Sequence, residues 1–176
     1  HSDDQKAPGR FHLTKEDIAP FDVLINAFAP LSDEAQLHVD AGKHLISLLE
    51  GTNKKLFVIG SAGCLYIDDE QTIRLMDLDS YPEHLQETAK YQLQNLHDLQ
   101  KSSIKWTFMS PAAIFDYEGP RTGHYILGQE QLTLNSQLNS YASYADFAVA
   151  VIDELENNNH INSFFTVASE NVTTAS

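Results

Sequence analysis

Three short stretches of small residues, Ala27-Phe28-Ala29-Pro30, Gly60-Ser61-Ala62-Gly63 and Ser110-Pro111-Ala112-Ala113, each follow an apolar run. Side chains this small let a flat ligand lie against the backbone, and Ser61 adds a hydroxyl that could bond a substrate carbonyl or a cofactor amide. In open α/β sheets, ligands bind beyond the carboxyl ends of the strands, where these stretches would fall. A small residue at a strand end also simply makes a tight turn, and for Ser61 the two readings weigh equally. Three alike favour a shared cleft. Gly60 to Gly63 invites a phosphate-loop reading, but no third glycine follows, and Cys64-Leu65-Tyr66-Ile67 does not open a helix whose N-terminus would hold phosphate. Neither a complete dinucleotide fingerprint nor a Walker motif occurs in the chain.

Other reactive residues point to little chemistry. The eight histidines are scattered, and His38 and His44 are not at the spacing that puts two metal ligands on one helical face; no metal site is expected. Asp68-Asp69-Glu70 lacks the alternation and central glycine of a calcium loop and reads as a solvated run. No Gly-x-Ser-x-Gly nucleophile elbow is present. The only cysteine, Cys64, has no cationic neighbour in sequence to lower its pKa and reads as an inert small residue.

The elements that must position these residues alternate in period. Thr14-Lys15-Glu16-Asp17 has the form of a capping box opening one helical turn, which Pro20 ends. Phe21–Phe28 is an apolar run without polar alternation, as in strands covered on both faces. Leu37, Ala41, Leu45 and Leu48/Leu49 share one helical face, with Ser32 as the expected N-cap, Asp33 and Glu34 in the first turn, and Gly51 ending the helix. Leu56–Gly60 is a second buried strand, completing a crossover unit. Residues 61–82 form a long connection without a clear period, of a length that is often functional. A helix is expected over 83–101, with Leu85, Ala89, Leu93, Leu96 and Leu99 on one side, then a strand over 106–110 stopped by Pro111. Extended pieces follow near 124–128 and 131–135. A last helix begins at Ser143, with Asp146 completing another capping box and Tyr144, Phe147, Ala148, Val151, Ile152 and Leu155 as its buried face. Phe164–Val167 closes the domain as a strand. The pattern is α/β with a mainly parallel sheet, a polar arm over 1–13, one domain over 14–169 and a tail over 170–176.

Composition sets the outer bounds. The 176 residues carry 11 Lys+Arg against 25 Asp+Glu, a formal charge of −14, which repels nucleic-acid phosphate and anionic membrane alike. No apolar run approaches the roughly 20 residues that span a bilayer. The opening HSDDQKAPGR has no hydrophobic signal core, so the expected location is cytoplasmic.

Taken in order, LFVIGSAG, a Tyr-Pro before a long helix, WTFMSPAAIF, GPRTGHY and SYADFAVAVIDE resemble the atypical short-chain dehydrogenase/reductase family, whose members are described as NAD(P)H-binding, NmrA-like or NADH-flavin-reductase-like. The resemblance spans about residues 11–168. It implies a Rossmann-like three-layer fold, a cofactor, NAD(P)H, lying across the strand tips, and cofactor-lining positions at Ala27, Phe28, Ala29, Gly60, Ser61, Ala62, Gly63, Ser110, Pro111 and Ala112. The NAD or NADP preference stays open. The family's first strand, glycine-rich turn and following units have no counterpart before residue 11, so the sequence reads as a C-terminal portion lacking its first strands, with Phe21–Phe28 an exposed edge. Classical members also carry Tyr-x-x-x-Lys, and none of the seven tyrosines here has lysine four residues on. That favours an acceptor needing positioning more than a protein acid, a flavin or quinone-like small molecule. Ser61, Tyr81 and Arg121 are the candidates for contacts to nicotinamide and acceptor. The competing readings are a dinucleotide-sensing regulator without turnover and a fragment inactive alone; the oligomeric state stays open.

Overall fold

The structure, a computed structural model, describes residues 12–30 and 32–172. The first eleven residues of the expected arm and the last four of the tail lie outside that range. Thr14 caps α1 (Lys15–Ile18) in the expected capping box: its hydroxyl accepts from the Asp17 amide, and the Asp17 carboxylate accepts from the Thr14 amide. Four strands then build a parallel sheet: β1 (Val23–Asn26), β2 (Lys55–Ile59), β3 (Lys105–Ser110) and β7 (Ser163–Ala168), side by side in that order. Their registers start at Val23 against Lys55, Lys55 against Lys105, and Thr107 against Ser163. The short β5 (Ile126–Gly128) adds an antiparallel neighbour to the end of β7. Two further strands, β4 (Ile114–Asp116) and β6 (Tyr141–Ser143), pair with each other in parallel apart from this sheet.

β2, β3 and β7 are buried on both sides, so their successive residues feed different cores, whereas β1 at the edge leaves Ile25 exposed and so is not covered on both faces as expected. Leu56, Val58, Trp106, Phe108 and Phe164 meet α2 (Leu37–Leu49) and α3 (Glu83–Lys101) through Leu45, Leu49, Leu96 and Leu99. Phe57, Met109, Phe165 and Val167 meet α4 (Tyr144–Asn157) through Phe147 and Ala150. The result is three layers, with α2 and α3 on one face and α4 on the other. The two helices of the first face approach closely at Gly42, where any side chain would run into Asn95. Among the described residues, no helix is long and apolar enough to cross a membrane.

Local expectations differ from the structure in four further places. Instead of starting at Ser32, α2 starts at Leu37 behind a 3-10 turn over Ser32–Glu34; buried Ala35 pulls the chain inward between them, and Gln36 caps the helix without a side-chain bond. On α3, Leu85 is exposed, and Gln92 and Asn95 are buried instead. The segment 131–135 forms no strand but runs beside Tyr66, bonding it through the Glu130 carbonyl and the Leu132 amide, while β4 and β6 appear where none was expected. The buried face of α4 holds Asp146, Phe147, Ala150 and Glu154, whereas Tyr144, Ala148 and Ile152 are exposed. Counting apolar residues missed this face because two of its members are carboxylates, buried only because donors surround them.

Candidate active site

The tips of β1, β2 and β3 lie at one end of the sheet. At the end of β1, Asn26 is buried and its side-chain oxygen accepts the Phe28 amide (3.1 Å), a local bond that turns the chain and leaves Ala27 and Ala29 exposed. Phe28 is half-buried, its ring edge-on to His38.

β2 ends in a tighter turn. The Gly60 amide donates to the Met109 carbonyl (2.9 Å), and a methyl group on Gly60 would strike the Phe108 ring, so glycine is required by the close approach. Ser61 then caps a single 3-10 turn over Ala62–Cys64, its hydroxyl accepting the Gly63 amide (3.1 Å). The Ser61 carbonyl accepts from the Ser110 hydroxyl (2.7 Å), and the Ser110 carbonyl accepts from the Thr166 hydroxyl (2.7 Å). These two bonds staple the tips of β2, β3 and β7 together.

The long connection brings Tyr81 back to this tip, just ahead of α3. Its hydroxyl lies 3.4 Å from the Ser61 hydroxyl and covers Gly63, where a methyl group would sit 2.7 Å from the phenolic oxygen. Burial pushes the Tyr81 phenol above its ordinary value, more than the Ser61 bond lowers it, so Tyr81 stays protonated at neutral pH and can donate. Within the same connection, Arg74 lies over the Tyr66 ring and donates to the Tyr66 hydroxyl and the Cys64 carbonyl. Cys64 is fully buried and its thiol is pushed up to about 12, so it holds no thiolate at neutral pH.

The structure therefore joins Ser61 with Tyr81, and sets the other expected residues at different depths. Ser110 uses its hydroxyl within the fold, Pro111 and Ala112 are buried, and Ser61 and Ala62 are half-exposed. Arg121 is exposed on a loop over the first turn of α4, and no bond joins it to the Ser61–Tyr81 pair among the described residues. Two anchors fix that loop. The Ser143 hydroxyl donates to the Pro120 carbonyl (2.7 Å) and caps α4 by accepting the Asp146 amide (3.0 Å). Asp146 is fully buried, and its carboxylate accepts from the Thr122 amide, the Thr122 hydroxyl and the Gly123 amide (2.7–2.9 Å). Half of the expected capping box thus forms, and the carboxylate that would complete it holds the loop instead. Asp116 plays a similar part at the end of β4, accepting from the Tyr141 hydroxyl (2.7 Å), whose own pKa is pushed up to about 12, first by burial and then by that bond. Sequence reasoning missed the aromatic contacts around β4: Phe115 and Tyr117 are two apart, the strand spacing that puts both on one side, and both touch Tyr144.

These tips suit the flat, amide-bearing end of a nicotinamide dinucleotide, offering small, exposed residues at Ala27 and Ala29 and a hydroxyl pair at Ser61 and Tyr81. The fit does not extend to the diphosphate: among the described residues, the glycine-bearing turn after β2 leads into a 3-10 turn and not into a helix N-terminus.

Known proteins resemble this chain in sequence and fold. A family profile for NAD(P)H-binding domains matches residues 14–155. The Bacillus subtilis protein YwnB is 49% identical over 162 residues, covering 91% of this chain and 76% of YwnB. A crystal structure of a "putative NADH-flavin reductase" from Streptococcus pneumoniae superposes with a TM-score of 0.85 at 39% identity, covering 90% of this chain and 76% of that one. A "putative epimerase" from Bacteroides thetaiotaomicron follows at a TM-score of 0.71 and 34% identity, over 84% and 67% of the two chains. The chain belongs to the NAD(P)H-binding family, as the resemblance implied, and its cofactor is NAD(P)H.

Proposed function

We propose that this member of the NAD(P)H-binding family is an oxidoreductase that passes a hydride from NAD(P)H to a flat conjugated acceptor, a flavin or a quinone-like molecule. The observation that carries the reading is the Ser61–Tyr81 pair at the tip of β2, two protonated hydroxyls 3.4 Å apart with leucine four residues after the tyrosine. Without a lysine to lower it, the phenol is a donor and not a base. An acceptor whose reduction depends on positioning suits such a site better than an alcohol whose proton must be removed.

When bound, NAD(P)H supplies the hydride, two electrons and one hydrogen nucleus. Ser61 would offer a hydroxyl to the nicotinamide carboxamide, and the exposed Ala27 and Ala29 would help hold that end of the cofactor. Tyr81 closes over Gly63 and holds its proton on the phenolic oxygen, from which it can bond the acceptor. The second proton needed by a reduced flavin or quinone comes from solvent.

The test is steady-state oxidation of NADH and NADPH, followed by near-ultraviolet absorbance, with flavins and a soluble quinone as acceptors. Turnover is expected in the wild type, with Ser61→Ala and Tyr81→Phe each losing about 2–10-fold, the worth of one hydrogen bond. Saturable dinucleotide binding without turnover on any acceptor would overturn the oxidoreductase reading in favour of a sensor.

A further inference from the structure

The far edge of the sheet is finished over only part of its length. β5 pairs with β7 from Thr166 to Ala168, and among the described residues no strand lies outside Ser163, Phe164 or Phe165. Carried on in register, Gln129 and Glu130 would have paired with Phe165 and Phe164. The chain turns away instead. The Glu130 carbonyl accepts the Tyr66 amide, and the Leu132 amide donates to the Tyr66 carbonyl, which commits this segment to the long connection. Beside the bare half of β7 a cleft of about 710 Å³ opens, with nearly buried Trp106, Phe164 and Phe165 in its lining. It is polar without being cationic. Four carboxamides border it, those of Gln71, Gln100, Gln129 and Asn162, all on exposed residues. The Asn162 side-chain oxygen accepts the Trp106 amide (3.1 Å), which leaves its amino group available. Glu130, half-buried, is the only carboxylate in the lining and makes no ion pair among the described residues. Neither lysine nor arginine belongs to that lining.

Successive residues of a strand turn their N–H and C=O groups to opposite edges, so at least one of Ser163, Phe164 and Phe165 presents both toward the cleft. The natural complement of a bare strand edge is another backbone. Carboxamides donate and accept at once, as a peptide group does, and extend that complementarity beyond the edge itself. A carboxylate without a cation near it selects positive charge. We propose that this cleft binds an extended, basic peptide segment, which adds as a strand along Ser163–Phe165 in line with β5 and sets a lysine or arginine against Glu130. The mode is strand addition to an open sheet edge, with main-chain bonds giving affinity and one charged position giving preference. A sugar would use the carboxamides but gain nothing from the charge of Glu130. The proposal stands apart from the oxidoreductase reading. Trp106 lies at the base of β3 and Ser110 at its tip, about 13 Å along the strand, so the peptide and the cofactor occupy different ends of the sheet.

Trp106 is the only tryptophan in the chain, so intrinsic emission reports on this cleft. The probe is a capped pentapeptide of threonine and valine around a central lysine, titrated into the full chain at low salt. Emission should change saturably. Hydrogen exchange should show protection gained at one or more amides of Ser163, Phe164 and Phe165, with the dissociation constant for NAD(P)H unaltered. The same peptide with glutamate at its centre should bind about 2–5-fold more weakly, the scale of a half-exposed ion pair. Glu130→Gln should erase that preference, and so, independently, should the cation added by Gln129→Arg at an exposed position. Of two probes N-methylated on alternate residues, the one whose donors face β7 should lose about 10-fold, the worth of one or two hydrogen bonds. Unchanged emission at millimolar peptide, both methylated probes binding as the parent does, or a preference for the glutamate peptide would each overturn the proposal. Protection of the same amides that grows with protein concentration, without peptide, would overturn it in favour of a second copy on this edge.

Discussion

The two ends of the sheet carry polar groups in opposite conditions. At the base, Lys55 opens β2 almost fully buried, its ammonium 3.4 Å from Glu154 and 3.3 Å from the Asn158 side chain. Glu154, equally buried, also takes the His160 amide and ring nitrogen at 2.7 and 2.8 Å. The Asn162 side chain accepts the Trp106 amide, and His160 stacks on Phe165. At the tips, the Ser61–Tyr81 contact is long and Ala27 and Ala29 are bare, and on the loop beyond them Arg121 makes no ion pair among the described residues. Charge density is greatest where the fold uses it, and unspent bonding capacity collects where a ligand can use it. Room is no guide to the cofactor end: the cavity of about 710 Å³ opens toward the base, beside Trp106, His160 and Phe165.

The contrast breaks most visibly at Glu154. Replacing it with alanine leaves Lys55 buried without its partner, and should cost about 3–5 kcal/mol in urea unfolding while NAD(P)H affinity in the surviving folded protein stays unchanged. Its pH dependence has a definite sign. Burial raises the Glu154 carboxyl, but the His160 bonds and the Lys55 charge outweigh it and hold the group below its ordinary 4.5. Its stabilising share is therefore complete above that value and lost as pH falls through the lower folded one. Melting temperature followed through this range should drop more steeply for the wild type than for Glu154→Gln.

Asp146 tests whether a spent carboxylate behaves the same way at the other end. Asp146→Ala strands donors on Thr122 and Gly123, for an expected loss of about 1–3 kcal/mol, and frees the loop that carries Arg121. Unlike the basal change, it should also free the Thr122 and Gly123 amides to exchange, which hydrogen exchange at those positions would show. A smaller effect is expected at Gly63→Ala, whose methyl group would crowd the Tyr81 hydroxyl and Ala89. About 1–2 kcal/mol of strain should come with reduced NAD(P)H oxidation, because Tyr81 must move from Ser61. The smallest effect is a null one: buried Cys64, with its thiol near 12, should resist iodoacetamide at pH 8 until the protein is unfolded, as intact mass would report.

Much of this was readable before any coordinates. Three of the four parallel strands announced themselves as apolar runs, because burial on both faces leaves no alternation to confuse them. β1 was found the same way, but as the edge strand it leaves Ile25, and Phe21 ahead of it, exposed, against the expected cover on both faces. Thr14, Ser143 and the span of α3 followed from local rules that tertiary packing did not override. The joining of Ser61 to Tyr81 was not readable, since a stretch of aperiodic chain separates them, held by contacts such as Arg74 on Tyr66 and the pairing of Tyr66 with Glu130 and Leu132 that no local pattern announces. Asp146 and Glu154 misled for a different reason. A carboxylate looks solvent-bound until its donors are found, and these come from Thr122, Gly123, Lys55 and His160, all remote or out of period. The aromatic stack left a faint signal in the strand spacing of Phe115 and Tyr117, but its third ring, Tyr144, was counted into the core.

The Ser110 staple also bears on how the molecule is made. Ser110 reaches back 49 residues to Ser61 and forward 56 to Thr166, so the sheet closes only after long loops have formed, each at an entropic cost met before its contacts exist. Parallel pairing at such separations belongs to slow, high-contact-order folding. While β7 is still being synthesised, the edge of β3 that it will cover has no partner. A nascent chain of this protein should therefore lean on chaperones more heavily than a helical bundle of equal length.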